Sequence, residues 1–169
     1  MRYARLNYPG LKLVNDHVVR KTVHFTTRDA FLFMQAVIKH FIKHPDPMVV
    51  PIHRYDVIQA TLDNVYGTFS YSYDMQRLGM LNEDEKEIIE SAYYIRYSPE
   101  VKHEKVIEMG KKDYPKLVKF ITRVLDENRY HDTHCGNFLK DENENYRIID
   151  LEGYIKYPLN ALENQWITR

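Results

Sequence analysis

The segment His131-Asp132-Thr133-His134-Cys135-Gly136-Asn137-Phe138-Leu139 crowds chelating and proton-transferring side chains into one short stretch. A little further on, Ile148-Ile149-Asp150-Leu151-Glu152-Gly153-Tyr154 closes an apolar run with an acid. Asp132 and Asn137 share one loop, and a hairpin between the two stretches brings Asp150 beside them. Two carboxylates and an amide are hard oxygen donors. They suit magnesium, which needs few protein ligands and takes the rest from phosphate and water. Zinc fits less well: it needs three or four convergent ligands, and no second His or Cys pair is spaced to complete a site with His131 and His134. His134 reads instead as a buttress that hydrogen-bonds the loop. Cys135 reads as a small packed residue, because its only adjacent base, His134, cannot readily face it.

Asp132-Thr133-His134-Cys135-Gly136-Asn137 resembles the catalytic loop of the kinase-like phosphotransferases, which runs Asp, any, His, any, Gly, Asn. Ile149-Asp150-Leu151-Glu152 is similar to the Ile-Asp-Trp-Glu or Ile-Asp-Phe-Glu of aminoglycoside and choline kinases, where protein kinases have Asp-Phe-Gly. The layout also resembles the small protein kinase of some short-tailed lytic bacteriophages, and the kinase-like resemblance covers nearly the whole chain. It implies ATP and Mg as cofactors. Asp132 would be the catalytic aspartate that orients the attacking hydroxyl or accepts its proton. Asn137 and Asp150 would hold the magnesium that bridges the ATP phosphates, with Lys21 or Arg20 on the α- and β-phosphates. Tyr73-Asp74-Met75-Gln76 falls where the hinge contacts adenine, which makes Tyr73 and Met75 the adenine-side candidates. A protein substrate or protein partner is implied, in the cytoplasm, and in a host's cytoplasm if a phage encodes the chain.

The chain also departs from that pattern. Gly10 is the only glycine before Gly67, so no glycine-rich loop covers the phosphates. The helix after Thr27 contains no glutamate to pair with a strand lysine, which leaves Asp29 or Gln35 as substitutes. Tyr130 stands where protein kinases carry the histidine of His-Arg-Asp. Arg20 and Lys21 point to opposite faces of a strand, so the phosphate-binding cation stays open between them. Sixteen residues follow Gly153, too few for an activation segment or a full helical lower lobe.

Several elements must position these residues. Leu11-Lys12-Leu13-Val14 and His17 to Val23 read as strands around an Asn15-Asp16 turn. Thr26, with Asp29 three residues on, reads as a helix start. The helix it opens carries Phe31, Met34, Val37, Ile38, Phe41 and Ile42 on one stripe, and His44-Pro45-Asp46-Pro47 ends it. Met48 to Ile52 and Val65 to Tyr71 read as two further strands. Helix resumes from Asn82, with acids in its first turn, and again from Pro115 with Leu117, Phe120, Ile121, Val124 and Leu125 on one face. Asn137-Phe138-Leu139 and Tyr146 to Asp150 form a hairpin around a solvated Asp141 to Asn145 turn. The order predicts an α+β chain: a minimal protein-kinase-like bilobal fold with an N-lobe over 1–76 and a reduced helical C-lobe over 77–169.

Composition narrows the field. The chain has 169 residues, enough to bury a core without disulfides. Its 24 basic and 24 acidic side chains cancel, so no whole-molecule field draws nucleic acid or an anionic membrane. One cysteine, no apolar stretch at the amino terminus and no long apolar run predict a reducing cytoplasm and no membrane span. The expected activity is phosphoryl transfer to protein hydroxyls. The alternative is a pseudokinase-like module that acts by binding a protein, with aromatics such as Tyr93 and Tyr97 as its face. A small-molecule kinase completed by dimerisation is a weaker third reading.

Overall fold

Alternation along Val18–Thr27 sends Val19 and Lys21 to one side of a strand and Arg20 to the other, which makes this strand the organising element of the amino-terminal half. The computed structural model describes residues 1–3 and 9–154. Strands β1 (Leu11–Asn15), β2 (Val18–Thr27), β3 (Ile52–Gln59) and β4 (Tyr66–Gln76) form one antiparallel sheet in the order β1-β2-β4-β3. The first turn is Asp16-His17 rather than Asn15-Asp16. Asn15 accepts a hydrogen bond from the His17 amide at 2.8 Å and moves the turn one residue on. Helix α1 (Arg28–Lys43) lies against the sheet and is capped by Thr27, not Thr26; the Thr27 hydroxyl accepts from the Ala30 amide. His44 terminates α1, as the two following prolines require.

Two strand boundaries differ from expectation. Met48-Val49-Val50 is not part of the sheet. It runs beside the late hairpin, where the Val50 amide donates to the Ile148 carbonyl and the Ile148 amide donates to Met48. Only after Pro51, which has no amide hydrogen to donate, does β3 begin. Strand β4 runs five residues past Tyr71, because its partner β2 is long enough to pair it through Gln76 opposite Val18. The Tyr73 to Gln76 stretch, expected as a connector between halves, is therefore strand.

Helices α2 (Glu83–Tyr97), α3 (Val101–Asp113) and α4 (Pro115–Glu127) pack together in the second half. Asn82 caps α2 with a reciprocal box: its side chain accepts from the Glu85 amide, and Glu85 accepts from the Asn82 amide. Pro115 opens α4, and Asn128 ends it in the left-handed region at φ 51°. Strands β5 (Phe138–Lys140) and β6 (Tyr146–Ile148) make the late hairpin. Asp141 is buried at its turn, where it accepts from the amides of Asn143 and Asn145, so the turn is anchored rather than merely solvated.

One core joins both halves. Phe31, Met34, Val37, Ile38 and Phe41 of α1 pack with Phe69, Tyr71 and Tyr73 of β4, and the cluster continues through Ile88, Ile89, Leu117, Ile121 and Phe138. Ile42, expected on the stripe, is exposed, and Phe33 is buried instead. Tyr154 touches Phe41 on one side and Tyr130 on the other, with ring centroids 5.7 and 5.1 Å apart. The architecture is α+β, and among the described residues no helix is long and apolar enough to cross a membrane. The stretch after Gly153 that the sequence reading found short lies, beyond Tyr154, outside the described residues.

Candidate active site

The cleft between the sheet and the helical half has a volume of about 520 Å³. Leu11, Val19, Met75, Leu78, Leu139 and Ile149 give it apolar walls, and Lys21, Asp132, Asn137 and Asp150 open onto it. A largely apolar cavity of this size with a few convergent polar groups suits a small-molecule ligand.

Each polar group has a traceable support. The loop from Asp132 ends in a 3-10 turn at Cys135–Asn137. It is capped by His134, whose Nδ1 accepts from the Gly136 amide at 3.1 Å. The Cys135 amide donates to Glu90 on α2, fixing the loop to the helix. Burial beside Glu90 pushes the Cys135 thiol up, away from nucleophile chemistry. Asn137 is buried, and its Nδ2 donates to the Asp132 carbonyl at 2.7 Å. That bond orients the amide and leaves Oδ1 as its acceptor. The Asn137 carbonyl receives the Ile149 amide at 3.0 Å, which places Asp150 next to this loop. The Asp132 side chain is about half exposed, with Oδ2 3.7 Å from His134 Nε2.

Asp150 is the hub. Its Oδ1 accepts from Lys21 Nζ at 2.9 Å, and its carbonyl accepts from the Tyr130 hydroxyl at 2.7 Å. Tyr130 is buried and packs so closely on Gly153 that no side chain fits there. It joins the two loops, as does the His131 amide, which donates to the Gly153 carbonyl. Lys21 also donates to Glu152 Oε2 at 2.9 Å, and Glu152 Oε1 accepts from the Tyr71 hydroxyl at 3.0 Å. Burial alone raises Asp150, but the Glu152 hydrogen bond and the Lys21 charge hold it below the usual carboxylate range. Burial and the neighbouring Asp150 push Glu152 above its ordinary value, with Lys21 opposing. Burial lowers the Lys21 amine and its two carboxylates raise it, with the net change upward. All three directions favour a charged Lys21–Asp150 pair.

Asn137 and Asp150 are the residues that would hold a magnesium ion here. Asn137 Oδ1 and an ionised Asp150 are hard oxygen donors on adjoining segments, and magnesium takes its remaining ligands from water and phosphate. Among the described residues no group of three or more His, Cys, Asp or Glu side chains is placed to hold a metal ion.

The other candidates separate. Arg20 leaves the cleft for the opposite face of the sheet, where it pairs with Asp74 through Nε at 2.7 Å and Nη2 at 2.9 Å. Of the two neighbours it is thus Lys21 that faces the cleft, and the parity of β2 decides it. Met75 and Gln76 at the end of β4 line the cleft, as do Arg77 and Leu78, which follow it. Tyr73 does not: it is fully buried opposite Lys21, with its hydroxyl packed toward Glu152 rather than the cavity. The connector between halves therefore starts at Arg77, four residues later than expected. Asp29 is exposed beside Arg28, so it is no substitute for the missing helical glutamate. Sequence reasoning missed Glu152 as a partner of Lys21; the only signal was its place two residues after Asp150. Set against known proteins, the chain matches no family model and no curated protein.

Proposed function

We propose that the protein transfers the γ-phosphoryl group of ATP, with magnesium, to a hydroxyl group of a protein substrate. The observation that carries this reading is the convergence of Lys21, Asp132, Asn137 and Asp150 on one apolar-walled cleft. Magnesium held by Asn137 and Asp150 would neutralise the phosphate oxygens on which charge develops. Lys21 supplies a fixed positive charge at the same wall, and Leu11, Val19, Met75 and Leu139 give a flat apolar ligand a dry place to lie. Asp132, half exposed at the mouth, is placed to orient an incoming hydroxyl and take its proton. Phosphoryl transfer needs positioning and electrostatics more than covalent chemistry, and these side chains provide both.

The test is thermal unfolding with and without magnesium and ATP, followed by transfer of labelled γ-phosphate to a cell extract. At a ligand concentration ~100 times Kd, selective binding adds about 2.7 kcal/mol. For a chain of this size that is a rise in Tm of about 5–10 °C. Asp150→Asn is expected to remove most of the rise. An equal rise without magnesium refutes the metal assignment, and no rise in any condition refutes nucleotide binding.

A second reading, a binding module without transfer activity, is favoured by the exposed Tyr94 and Tyr97 near the end of α2, with Val101 exposed after them. Tyr93 packs against both tyrosines, at 5.6 and 4.9 Å between centroids. Truncating Tyr97 would abolish the biological effect of such a module, and Asp132→Asn would not.

A further inference from the structure

Helix α1 presents only apolar side chains to the core, so no acid reaches the cleft from it. Of its polar side chains, Asp29 at the start pairs with Arg28, and Gln35 in the middle is half-buried beside Tyr55. Lys21 nevertheless donates to two carboxylates, Asp150 and Glu152, on the segment after β6. The two carboxylates are not equivalent. Both Glu152 oxygens are engaged, Oε2 by Lys21 and Oε1 by the Tyr71 hydroxyl, and Tyr71 is itself fully buried in β4. Glu152 is thus held from two sides, by the Lys21 amine on one oxygen and by a hydroxyl of β4 on the other. Asp150 accepts from Lys21 through Oδ1, which also receives the Glu152 amide at 3.3 Å, and lines the cleft; Glu152 does not line it.

We propose that Glu152 is the positioning residue of the site: it anchors Lys21 to the Tyr71 side of the sheet, so that Asp150 is released for the metal without loss of the lysine's place. This rests on the proposed nucleotide reading for its purpose, though not for its geometry. When an anionic ligand and a cation enter, the Lys21–Asp150 bond is the one that exchanges, and the Lys21–Glu152 bond persists. The cation of the cleft is then fixed by the same short segment that carries the metal ligand.

The experiment is a double-mutant cycle of Glu152→Gln and Lys21→Met, read by magnesium–ATP affinity and, independently, by the rate at which acetic anhydride modifies Lys21, followed by mass spectrometry without nucleotide. Glu152→Gln is expected to weaken magnesium–ATP binding about tenfold in the native background, the scale of a lost charge-assisted hydrogen bond. In the Lys21→Met background it should change affinity by less than about twofold, because coupled residues are non-additive. Lys21 acetylation should rise severalfold in Glu152→Gln, with the modification rates of Lys116 and Lys119 unchanged. Equal losses in both backgrounds, or an unchanged Lys21 rate, overturn the proposal. If native protein binds no nucleotide, the phosphotransfer reading falls, and the acetylation rate alone still judges the anchor. Should Glu152→Gln fail to fold, Glu152→Asp keeps the charge but withdraws it by one methylene, and the same outcomes apply.

Discussion

Gly153→Ala tests how the two loops of the site are held together. A Cβ at Gly153 would overlap Cε2 and Cζ of the Tyr130 ring and stand 2.7 Å from its hydroxyl oxygen. Tyr130 cannot simply swing away: it is 4% exposed, packed against Phe138 and Tyr154, and tied through its hydroxyl to the Asp150 carbonyl. Forcing a methyl into such packing costs about 1–3 kcal/mol. Losing the Tyr130–Asp150 hydrogen bond adds about 1 kcal/mol. The expected destabilisation is therefore about 2–4 kcal/mol, read as a lower urea midpoint at constant slope. Tyr130→Phe, which removes the hydroxyl and keeps the ring, should cost only about 1 kcal/mol. Tyr130→Leu combined with Gly153→Ala should be more stable than the sum of the two single changes, because the smaller side chain makes room for the methyl. A Gly153→Ala protein within about 0.5 kcal/mol of native, the range of an inconsequential surface change, with an additive double variant would refute this packing argument.

Asp132→Asn should lower the transfer rate ~10²–10⁴-fold, the usual contribution of a positioned general base, as measured by initial rates. Magnesium–ATP affinity should hold, because Asn137 is oriented by the Asp132 carbonyl, which the substitution leaves in place. Glu85→Gln should destabilise the fold by about 3 kcal/mol in urea unfolding, since it strips the anion from Lys140 and from the Tyr146 hydroxyl in a nearly solvent-free setting. Burial raises Asp141, but the amides of Asn145 and Asn143, the Asn145 side chain and Arg147 hold it below the ordinary carboxylate value. Its stabilisation is thus complete above about pH 4 and is lost as the pH falls through its lowered native value. Asp141→Asn should cost about 1–3 kcal/mol at pH 7. That difference should shrink steadily on acidification, and a constant difference down to pH ~2 would contradict the assignment.

Local signals located the elements well where the chemistry that makes an element is itself local. Asn82 and Glu85 cap one another across three residues, and Pro115 can open a helix but hardly continue one. The late hairpin was legible for the same reason: two short apolar runs flank a turn whose acid, Asp141, gathers its own neighbours' amides. The readings failed where a distant partner decides. Met48-Val49-Val50 has the β-branched look of a sheet strand, yet its hydrogen bonds go to Met48 and Val50 from and to Ile148, nearly a hundred residues away. Helix α3 was not separated from its neighbours, because its face against α2 and α4 is only half-buried and its polar residues blur the periodicity.

The site shows the same division at finer scale. Asp132 and Asn137 stand on one loop in the sequence, and the hairpin carries Asp150 to them through the Ile149 amide and the Asn137 carbonyl. Neighbouring cations on a strand are a different problem: Arg20 and Lys21 differ by one residue, and one residue is a whole face of a sheet. Only the pairing of Val19 with Met75 and of Lys21 with Tyr73 settles which face turns to the cleft. The same register buries Tyr73 and carries β4 on to Gln76, which leaves Arg77 and Leu78 as the cleft-lining connector. Glu152 was out of reach for a further reason. Its partners, Lys21 and Tyr71, lie on two strands of a sheet formed far earlier in the chain. A buried carboxylate is tolerated only where such partners converge, so its role could be read only once the sheet and the late hairpin were placed together.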